Sequence, residues 1–501
     1  MKLIIIFSLV LSILHSILFY ENDLGVSVFL FAGILVSLII ICLKQSKKII
    51  QPKALILIIP ILLLSLTYFL FNNTIFRMFN MLVIIVMFGI MIILATSKNE
   101  KIKQIIEKLF LLFIGPFDLI KEASHLANKH LLAIFRFKSR EKRGNIKQIT
   151  KGFLVALPIV ILVCILLISA DETFADIFNK IFRQISVLDV HTCVSLLIRI
   201  GTIVILTFYG IAFMLNILLK RSRYNLTVPD EKENKGIYIN QFTITILLTL
   251  LNIVYMIFTY TQIKQLGTQL DCFTLSYSAY ARSGFFQLMF VSFINLIVIF
   301  ATNRNKQEMS KNMQISIKTM NILLCLFTII ILICSMIRMN LYAESYGYTF
   351  LRVMVYCIQI TELVLIIPTF AYIINKKINI KRCYFVIIIT AYIIINFINI
   401  DQIIAKNNIN RFMEFIRTDP PEYAREALDI QYLKTLSMDA LPEIERLLQE
   451  VNWDNLPMSY QILKNELINY KDSLQWMFDE DKNIFEWNIS FEKAKKIISN
   501  D

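Results

Sequence analysis

The sequence lacks the short motifs that mark many soluble enzymes. It has no G-x-x-x-x-G-K phosphate loop, no G-x-S-x-G nucleophile turn and no Cys/His cluster with zinc spacing, and only twelve glycines occur in 501 residues. These absences argue against a P-loop NTPase, an α/β-hydrolase and a zinc enzyme. An enzyme built from scattered loop residues would leave no such motif, so catalysis is not predicted but is not excluded. No cofactor and no metal site are predicted.

Cysteine is missing from the last hundred residues. All eight cysteines lie before Asp401, in or beside apolar runs. A C-terminal domain held together by disulfides is therefore excluded.

Charged residues are almost absent from long stretches of the chain. A helix needs roughly 20 apolar residues to cross a bilayer core of about 30 Å, and eleven such stretches occur before Asp401. The sequence therefore predicts an all-α, polytopic membrane bundle whose surroundings are the lipid bilayer. The eleven stretches are 3–20, 24–43, 54–71, 78–96, 152–170, 194–219, 242–258, 283–302, 319–337, 353–374 and 383–400.

Basic residues lie mostly in alternate connections between these stretches. The connections on one side hold 31 Lys and Arg residues and those on the other side hold seven. Because basic residues are retained in the cytoplasm, we expect the N-terminus inside and the C-terminus outside. The first stretch lacks a small-residue cleavage site before Glu21, and we interpret it as a retained helix. The abundance of Ile, Lys and Asn is typical of a low-GC bacterial genome, so the expected location is a bacterial cytoplasmic membrane.

The net charge of +14 is not a nucleic-acid signature. Residues 401–501 carry a net charge of −7, so the positive excess lies in the membrane part, mainly in its inside connections. Anionic lipid headgroups account for that excess. No nucleic-acid partner is predicted.

Two regions outside the apolar stretches have enough sequence to fold. Residues 97–151 are basic and amphipathic, which predicts a cytoplasmic helix in the headgroup plane or packed under the bundle. Residues 1–400 are otherwise the membrane bundle, and residues 401–501 are expected to form a small acidic helical domain outside the cytoplasm. In that domain Ser437 or Asp439 is expected to cap a helix. The three tryptophans, Trp453, Trp476 and Trp487, are expected to pack in a core, with docking on the membrane bundle as the alternative.

Two ionisable residues lie inside apolar stretches, where a charge is costly. Arg199 and Glu362 are expected roughly 8 and 14 Å below the outer edge, counted at 1.5 Å per residue. We predict that they pair or share a polar cavity with Gln359 and Thr361. A clamp between two helices and a proton or ion relay are the two interpretations.

Polar and aromatic residues also cluster in the connections predicted outside. Asp171 and Glu172 are adjacent acids, for which helix capping is favoured over metal binding. The remaining members of this candidate surface have two interpretations, anchoring at the headgroup level or lining an outward-facing surface. They are Tyr277, Tyr280, Arg282, Tyr342, Glu344, Tyr346 and Arg352.

Several pieces of the chain resemble one bacterial family. NIDQIIAKNNINRF (399–412), LDIQYLKTLSMDALPEIERLL (428–448) and WNISFEKA (487–494) are similar to its C-terminal end. SADETFADIF (169–178), YSAYARSGFFQL (277–288) and LYAESYGYTFLR (341–352) are similar to its outer-loop motifs. The family consists of uncharacterised membrane proteins with domains of unknown function four-one-five-three and four-one-seven-three. The resemblance implies a polytopic envelope protein with a C-terminal helical domain, and it brings no activity and no catalytic residue.

Three functions are consistent with the sequence. The first is a cell-envelope scaffold or signalling protein whose outer helical domain recognises an extracytoplasmic protein, a lipid or a cell-wall component. The second is a transporter or lipid-handling permease with a polar site near Arg199 and Glu362. The third is a membrane-embedded enzyme. A continuous water-filled cavity that reaches the membrane midplane would favour the second, whereas a solidly packed bundle with an exposed patch on the outer domain would favour the first.

Overall fold

The structure is a computed structural model in which every described segment is helix, turn or short connection. It describes residues 2–45, 51–96, 190–219, 241–269, 285–304, 310–418, 428–478 and 483–499, with short helical pieces between 105 and 120. No β-strand occurs in these ranges. The α-helices are α1 (Lys2–Phe19), α2 (Val26–Gln45), α3 (Pro52–Leu55), α4 (Ile58–Leu70), α5 (Thr74–Thr96), α6 (Val190–Leu219), α7 (Gln241–Gln269), α8 (Phe285–Asn303), α9 (Lys311–Tyr346), α10 (Phe350–Ile374), α11 (Ile380–Phe397), α12 (Ile400–Thr418), α13 (Ile430–Thr435), α14 (Leu441–Glu450), α15 (Met458–Ser473) and α16 (Ile489–Ser499).

Eight of the described helices are long and apolar enough to cross a membrane. They are α2 and α5 to α11, and each coincides with one of the predicted stretches. Stretches 3–20 and 54–71 correspond to the shorter apolar helices Ile4–Phe19 and Ile58–Leu70. Stretch 152–170 and most of the amphipathic segment 97–151 lie outside the described residues. The chain is therefore an all-α helical membrane protein, as predicted.

The chain divides into two compact units that do not follow the predicted boundary at residue 400. The first unit comprises residues 1–69, 81–226 and 483–487, and the second comprises residues 70–80, 227–482 and 488–501. Most of the C-terminal region thus belongs to the same unit as helices α7 to α11. Independent folding of residues 401–501 stays a prediction.

In the first unit, α1 packs lengthwise against α6 and also contacts α2. Ser8, Ser12 and Ser16 form a buried stripe on α1, and a Cβ added at Gly210 would lie 3.1 Å from the Ser8 Cβ. Small residues at such a contact allow two membrane helices to approach closely. The hydroxyl of Tyr20 donates to the Ser195 carbonyl over 2.8 Å, so α1 and α6 run antiparallel.

In the second unit, α9 packs against α7, α8 and α10, and α10 also packs against α11. Their apolar core includes Leu248, Ile299, Leu324, Leu332 and Ile366. Large apolar side chains are exposed on the outer faces of α7 and α8, which is typical of helices that face lipid.

Helix α9 has 36 residues, which at 1.5 Å per residue is about 54 Å and exceeds the thickness of a bilayer core. It contains neither glycine nor proline, and it ends at Gly347, whose φ of 82° suits glycine because it lacks a Cβ. Tyr342, Glu344 and Tyr346 therefore lie on the last turns of a helix. The sequence had placed them in a loop.

The C-terminal region packs on the ends of the membrane helices of the second unit. Helix α12 contacts α10 and α14, and a core containing Ile404, Phe412, Leu447 and Leu467 joins the C-terminal helices. Trp453 is buried in this core as predicted. The same prediction is wrong for Trp476, of which 67% is exposed.

Candidate functional site

Glu362 lies in the membrane-spanning part of α10 and faces the interior of the second unit. It is 6% exposed, and its carboxylate accepts a hydrogen bond from the hydroxyl of Ser292 on α8. Among the described residues no basic side chain forms an ion pair with it. A buried ionisable group inside a membrane bundle is a candidate functional site, because burying it is costly.

Gln359 lies one helical turn before Glu362 and is fully buried. Its amide nitrogen donates to the Ser335 hydroxyl on α9 over 2.7 Å. Its amide oxygen is buried and has no hydrogen-bond partner in the part of the chain that the structure describes. Thr361 is not part of this arrangement, because its hydroxyl donates to the Cys357 carbonyl of its own helix over 2.7 Å.

Further buried polar side chains continue from Glu362 along the bundle. The Tyr255 hydroxyl donates to Asn295 over 2.8 Å, and Asn295 donates to the Thr328 hydroxyl over 3.1 Å. The Thr302 hydroxyl contacts the Asn321 amide oxygen over 3.1 Å. We call the whole set the polar track; it consists of Ser335, Gln359, Ser292, Glu362, Asn295, Thr328, Tyr255, Thr302 and Asn321.

The sequence analysis missed most of this polar track, although one signal was present. Asn321, Thr328 and Ser335 are seven residues apart on α9 and are all fully buried. A seven-residue period keeps polar residues on one face of a helix. A search for polar residues at this spacing within apolar stretches would have found them.

Arg199 lies on α6, in the first unit. Its Nε donates to the Ser16 hydroxyl on α1 over 2.8 Å, and its guanidinium carbon lies 5.4 Å from the centre of the Tyr20 ring. The described partners of Arg199 thus belong to the first unit and those of Glu362 to the second. The predicted pairing of these two residues stays a prediction.

The described members of the predicted outer surface meet at the end of α9. The Arg352 guanidinium lies 4.1 Å from the centre of the Tyr342 ring and donates to the Tyr346 carbonyl over 3.0 Å. Glu344 accepts a hydrogen bond of 2.6 Å from Asn340. Five other candidates lie outside the described residues: Asp171, Glu172, Tyr277, Tyr280 and Arg282.

Helix α12 holds this end of α9 through two residues that the sequence analysis did not single out. The Asn408 amide accepts from the Tyr348 N–H over 2.6 Å and donates to the Tyr348 carbonyl over 2.9 Å. Arg411 donates to the Ser345 carbonyl over 2.7 Å. Burial, assisted by the positive charge of Arg352, lowers the pKa of the Arg411 guanidinium.

Two buried carboxylates join the C-terminal region to the turn before α5. Asp439 is 3% exposed. It accepts hydrogen bonds from the Asn72 N–H over 2.8 Å, from Asn399 over 3.2 Å and from the Ser490 hydroxyl. Its oxygens are therefore occupied, and α14 begins after Ala440 without a side-chain cap. The prediction that Ser437 or Asp439 caps this helix is wrong.

Asp401 is the second buried carboxylate and is 4% exposed. It accepts from the Asn73 amide over 2.9 Å and from the Ser437 N–H over 3.1 Å. Because Ser437 also donates to Asp439 over 3.0 Å, the two acids form one carboxylate hub. Within the described residues no group of three or more His, Cys, Asp or Glu side chains has the arrangement of a metal site.

Four of the six pieces of sequence that carried the family resemblance make contacts in this part of the second unit. Asn408 of segment 399–412 contacts Tyr348 of segment 341–352. Asp439 of segment 428–448 contacts Ser490 of segment 487–494. The resemblance thus rests on segments that hold the C-terminal region against the membrane helices.

Comparison with known proteins gives one family. No curated protein and no solved structure matches the chain. The family described as Domain of unknown function (DUF4153) matches residues 58–447, whereas the predicted relation to four-one-seven-three stays a prediction. Since that match covers more than half of the sequence, the chain belongs to the DUF4153 family.

Proposed function

We propose that this membrane protein is a transporter that moves protons or small cations along the polar track of the second unit. The observation that carries the proposal is Glu362, a carboxyl group buried among apolar helices with a serine hydroxyl as its described partner. Carboxyl groups in such places form the proton relays of pumps and transporters, since they take up and release a proton.

The length of the polar track supports this proposal. From Asn321 to Ser335 along α9 the track covers about 21 Å at 1.5 Å per residue. The hydrocarbon core of a bilayer is about 30 Å thick. The hydrogen bonds of the polar track join its members into four groups spread over most of that distance, and a relay would need water molecules to connect these groups.

A purely structural clamp is the competing explanation. Hydrogen bonds between membrane helices stabilise a bundle by about 0.6 kcal/mol on average, and amide or hydroxyl groups supply them without the cost of a charge. A clamp has no need of the carboxyl group at position 362, whereas a relay does. Glu362→Gln separates the two because it keeps the hydrogen-bonding capacity and the volume but removes the titrating group.

The test is proton flux through the purified full-length protein in vesicles that enclose a pH-sensitive dye. We expect the wild-type protein to accelerate the decay of an imposed pH gradient. Vesicles with Glu362→Gln are expected to behave like empty vesicles, and those with Glu362→Asp to keep part of the proton flux. Glu344→Gln, which changes an acid outside the polar track, is the matched control. Flux through Glu362→Gln equal to that of the wild type would overturn the proposal, as would wild-type vesicles no leakier than empty ones.

The orientation in the membrane is part of the same proposal. We infer a bacterial cytoplasmic membrane with the N-terminus inside and the C-terminus outside, from the 31 to 7 distribution of basic residues. Ser473 is exposed, so Ser473→Cys in a cysteine-free background is a suitable reporter. Labelling by a membrane-impermeant thiol reagent on intact cells supports this orientation, and labelling only after lysis contradicts it.

A scaffold or recognition protein is the second candidate. The observation that favours it is the double hydrogen bond between Asn408 and the Tyr348 backbone, which fixes α12 to the end of α9. A fixed C-terminal region suits an outer platform for an extracytoplasmic protein, a lipid or a cell-wall component. Photo-reactive side chains placed in living cells at position 476, and separately at the also exposed position 458, test this. A discrete cross-linked species favours a partner. The absence of cross-linking at both positions argues against one.

A further inference from the structure

The first unit contains an apolar cavity of about 630 Å³. Side chains of α1, α2, α4, α5 and α6 line it together with Phe113. The lining is almost wholly hydrocarbon, and its polar members are few: Ser8, His15, Tyr68 and Tyr209. A cavity of this size and composition suits an apolar ligand.

The cavity is long in the direction of the helices. Its lining on α1 runs from Ser8 to Phe19, which is about 16 Å of helix at 1.5 Å per residue. On α2 the lining covers a similar length, from Val28 to Ile39. This is about half of a bilayer core of about 30 Å, the depth that one lipid leaflet occupies.

A cation, Arg199, lies beside α1 at the level of the cavity end marked by Phe19, although it is not itself a lining residue. Arg199 donates through Nε to Ser16, the neighbour of the lining residue His15. The described residues provide no hydrogen-bond acceptor for its two terminal nitrogens. The apolar window of α6 begins at Ile198, one residue before Arg199, so the long arginine side chain can extend from the end of this window towards lipid phosphates.

Aromatic side chains surround the same end. Tyr20 lies against the Arg199 guanidinium, as is common for tyrosine at the headgroup level. The His15 ring contacts the rings of Phe19 and Phe31, with centre-to-centre distances of 5.1 and 5.9 Å. An apolar slot, with a partly paired arginine beside the same helix near one of its ends, complements a molecule with a long hydrocarbon chain and an anionic head.

We propose that the cavity holds an acyl chain of an anionic phospholipid whose phosphate is bound by Arg199. The cavity excludes water from the chain, and hydrophobic burial supplies the main binding free energy. The guanidinium supplies charge-assisted hydrogen bonds that select an anionic headgroup over a zwitterionic one. This site is independent of the polar track and of the transport proposal.

The test is lipid retention by the full-length protein, purified in detergent and measured by native mass spectrometry after adding phosphatidylglycerol or phosphatidylcholine. We expect the wild-type protein to retain one phosphatidylglycerol preferentially. Arg199→Gln is expected to weaken that retention about tenfold, comparable to the loss of one charged contact, and to remove the preference. Arg199→Lys is expected to keep the preference, because it keeps the charge.

Cavity filling tests the position of the acyl chain. Ala32 lines the cavity and is buried, so Ala32→Phe is expected to reduce the retention of both lipids. Leu30→Phe is the matched control, because Leu30 is on the same helix but is 41% exposed. This variant is expected to retain as much lipid as the wild-type protein. If Ala32→Phe does not fold, Leu35→Trp replaces it as a second residue of the lining.

Two outcomes would overturn the proposal. Equal retention of the two lipids by the wild-type protein would mean that lipid binds adventitiously and without headgroup recognition. Equal retention by the Ala32→Phe and Leu30→Phe variants would mean that the lipid lies on the outer surface of the helices. Proton flux measured in the same Arg199 and Ala32 variants distinguishes this site from the transport proposal, which does not depend on it.

Discussion

The two units of this protein use polar side chains in opposite ways. In the first unit the serines of α1 are small and partly bonded to their own helix; the Ser12 hydroxyl, for instance, donates to the Ser8 carbonyl over 2.7 Å. They bring α1 close to α6, and an apolar cavity lies beside them. In the second unit the polar side chains bond across helices, as Glu362 does with Ser292.

This difference predicts different weaknesses. Helices that approach closely through small side chains have no room for larger ones, so an added methyl group should destabilise the first unit. Helices held by cross-helix hydrogen bonds depend on acceptors and donors, so a lost acceptor should disturb the second unit. Each of the following substitutions breaks or sharpens this comparison.

The largest effect is expected from Asp439→Ala in the second unit. It removes an acceptor shared by Asn72, Asn399 and Ser490, and each buried donor left without a partner costs about 1–3 kcal/mol. We expect the free energy of unfolding to fall by about 3 kcal/mol or more. Thermal unfolding of the full-length protein in detergent measures the change.

Asp429→Ala is the control for this substitution. Asp429 accepts from the Tyr432 N–H over 2.9 Å and caps α13 at an exposed position, so its loss is expected to cost about 1 kcal/mol. Equal effects of the two substitutions would show that the buried hub adds nothing beyond an ordinary cap.

The hub also shows where sequence reasoning fails. Asp439 follows Ser437 just before an amphipathic segment, and this local pattern predicts a helix cap. Its actual donor Asn72 is 367 residues away in the chain. A local pattern holds no information about a contact of that separation, so the cap prediction was reasonable and wrong.

The membrane helices were predictable for a physical reason. The bilayer imposes a length and an apolar composition on every crossing helix, and stretches such as 353–374 and 383–400 coincide with α10 and α11. Glu362 was predictable because a charge in such a stretch is costly. Its partner Ser292 was not, since the rotation of α8 that turns this serine inward is set by packing between helices.

The second prediction concerns added volume in the first unit. A Cβ at Gly25 would lie 2.4 Å from the Glu486 carbonyl oxygen, and the Val26 N–H donates to the Trp487 carbonyl over 3.1 Å. We expect Gly25→Ala to displace segment 483–487 and to cost about 2 kcal/mol. Thermal unfolding measures the cost, and hydrogen exchange at Val26 reports the loss of its bond.

Gly33→Ala is expected to change the free energy of unfolding in the opposite direction, and Gly33 lies inside α2, the helix that Gly25 precedes. Nothing lies within 4 Å of a Cβ placed there, so the substitution is expected to stabilise α2 by about 0.5–1 kcal/mol. If both alanine substitutions stabilise the protein, close backbone packing at Gly25 does not contribute to the stability of the first unit. The proposed sensitivity of the first unit to added volume would then be wrong.

The smallest effect is expected at Tyr432, whose hydroxyl accepts a hydrogen bond from the Phe350 N–H over 2.7 Å. Burial raises the pKa of Tyr432, with a smaller contribution from Asp401 in the same direction and an opposing one from the Phe350 N–H. A raised pKa in the folded state means that the stabilisation is complete below the unfolded pKa of about 10 and is lost as the pH rises through the folded value.

Tyr432→Phe leaves the Phe350 N–H without this acceptor, so we expect it to cost about 1 kcal/mol at neutral pH. Above pH 10 the wild-type protein loses stability because its buried phenol resists ionisation in the folded state, and the variant has no such group. The difference in free energy of unfolding between the two proteins should therefore narrow. Burial also raises the pKa of Tyr470. Because Tyr470 is present in both proteins, its contribution to the pH dependence cancels when their free energies of unfolding are subtracted. Unfolding midpoints measured from pH 7 to 11 test this, and a constant difference would show that the hydrogen bond between Tyr432 and Phe350 does not sense the ionisation of Tyr432.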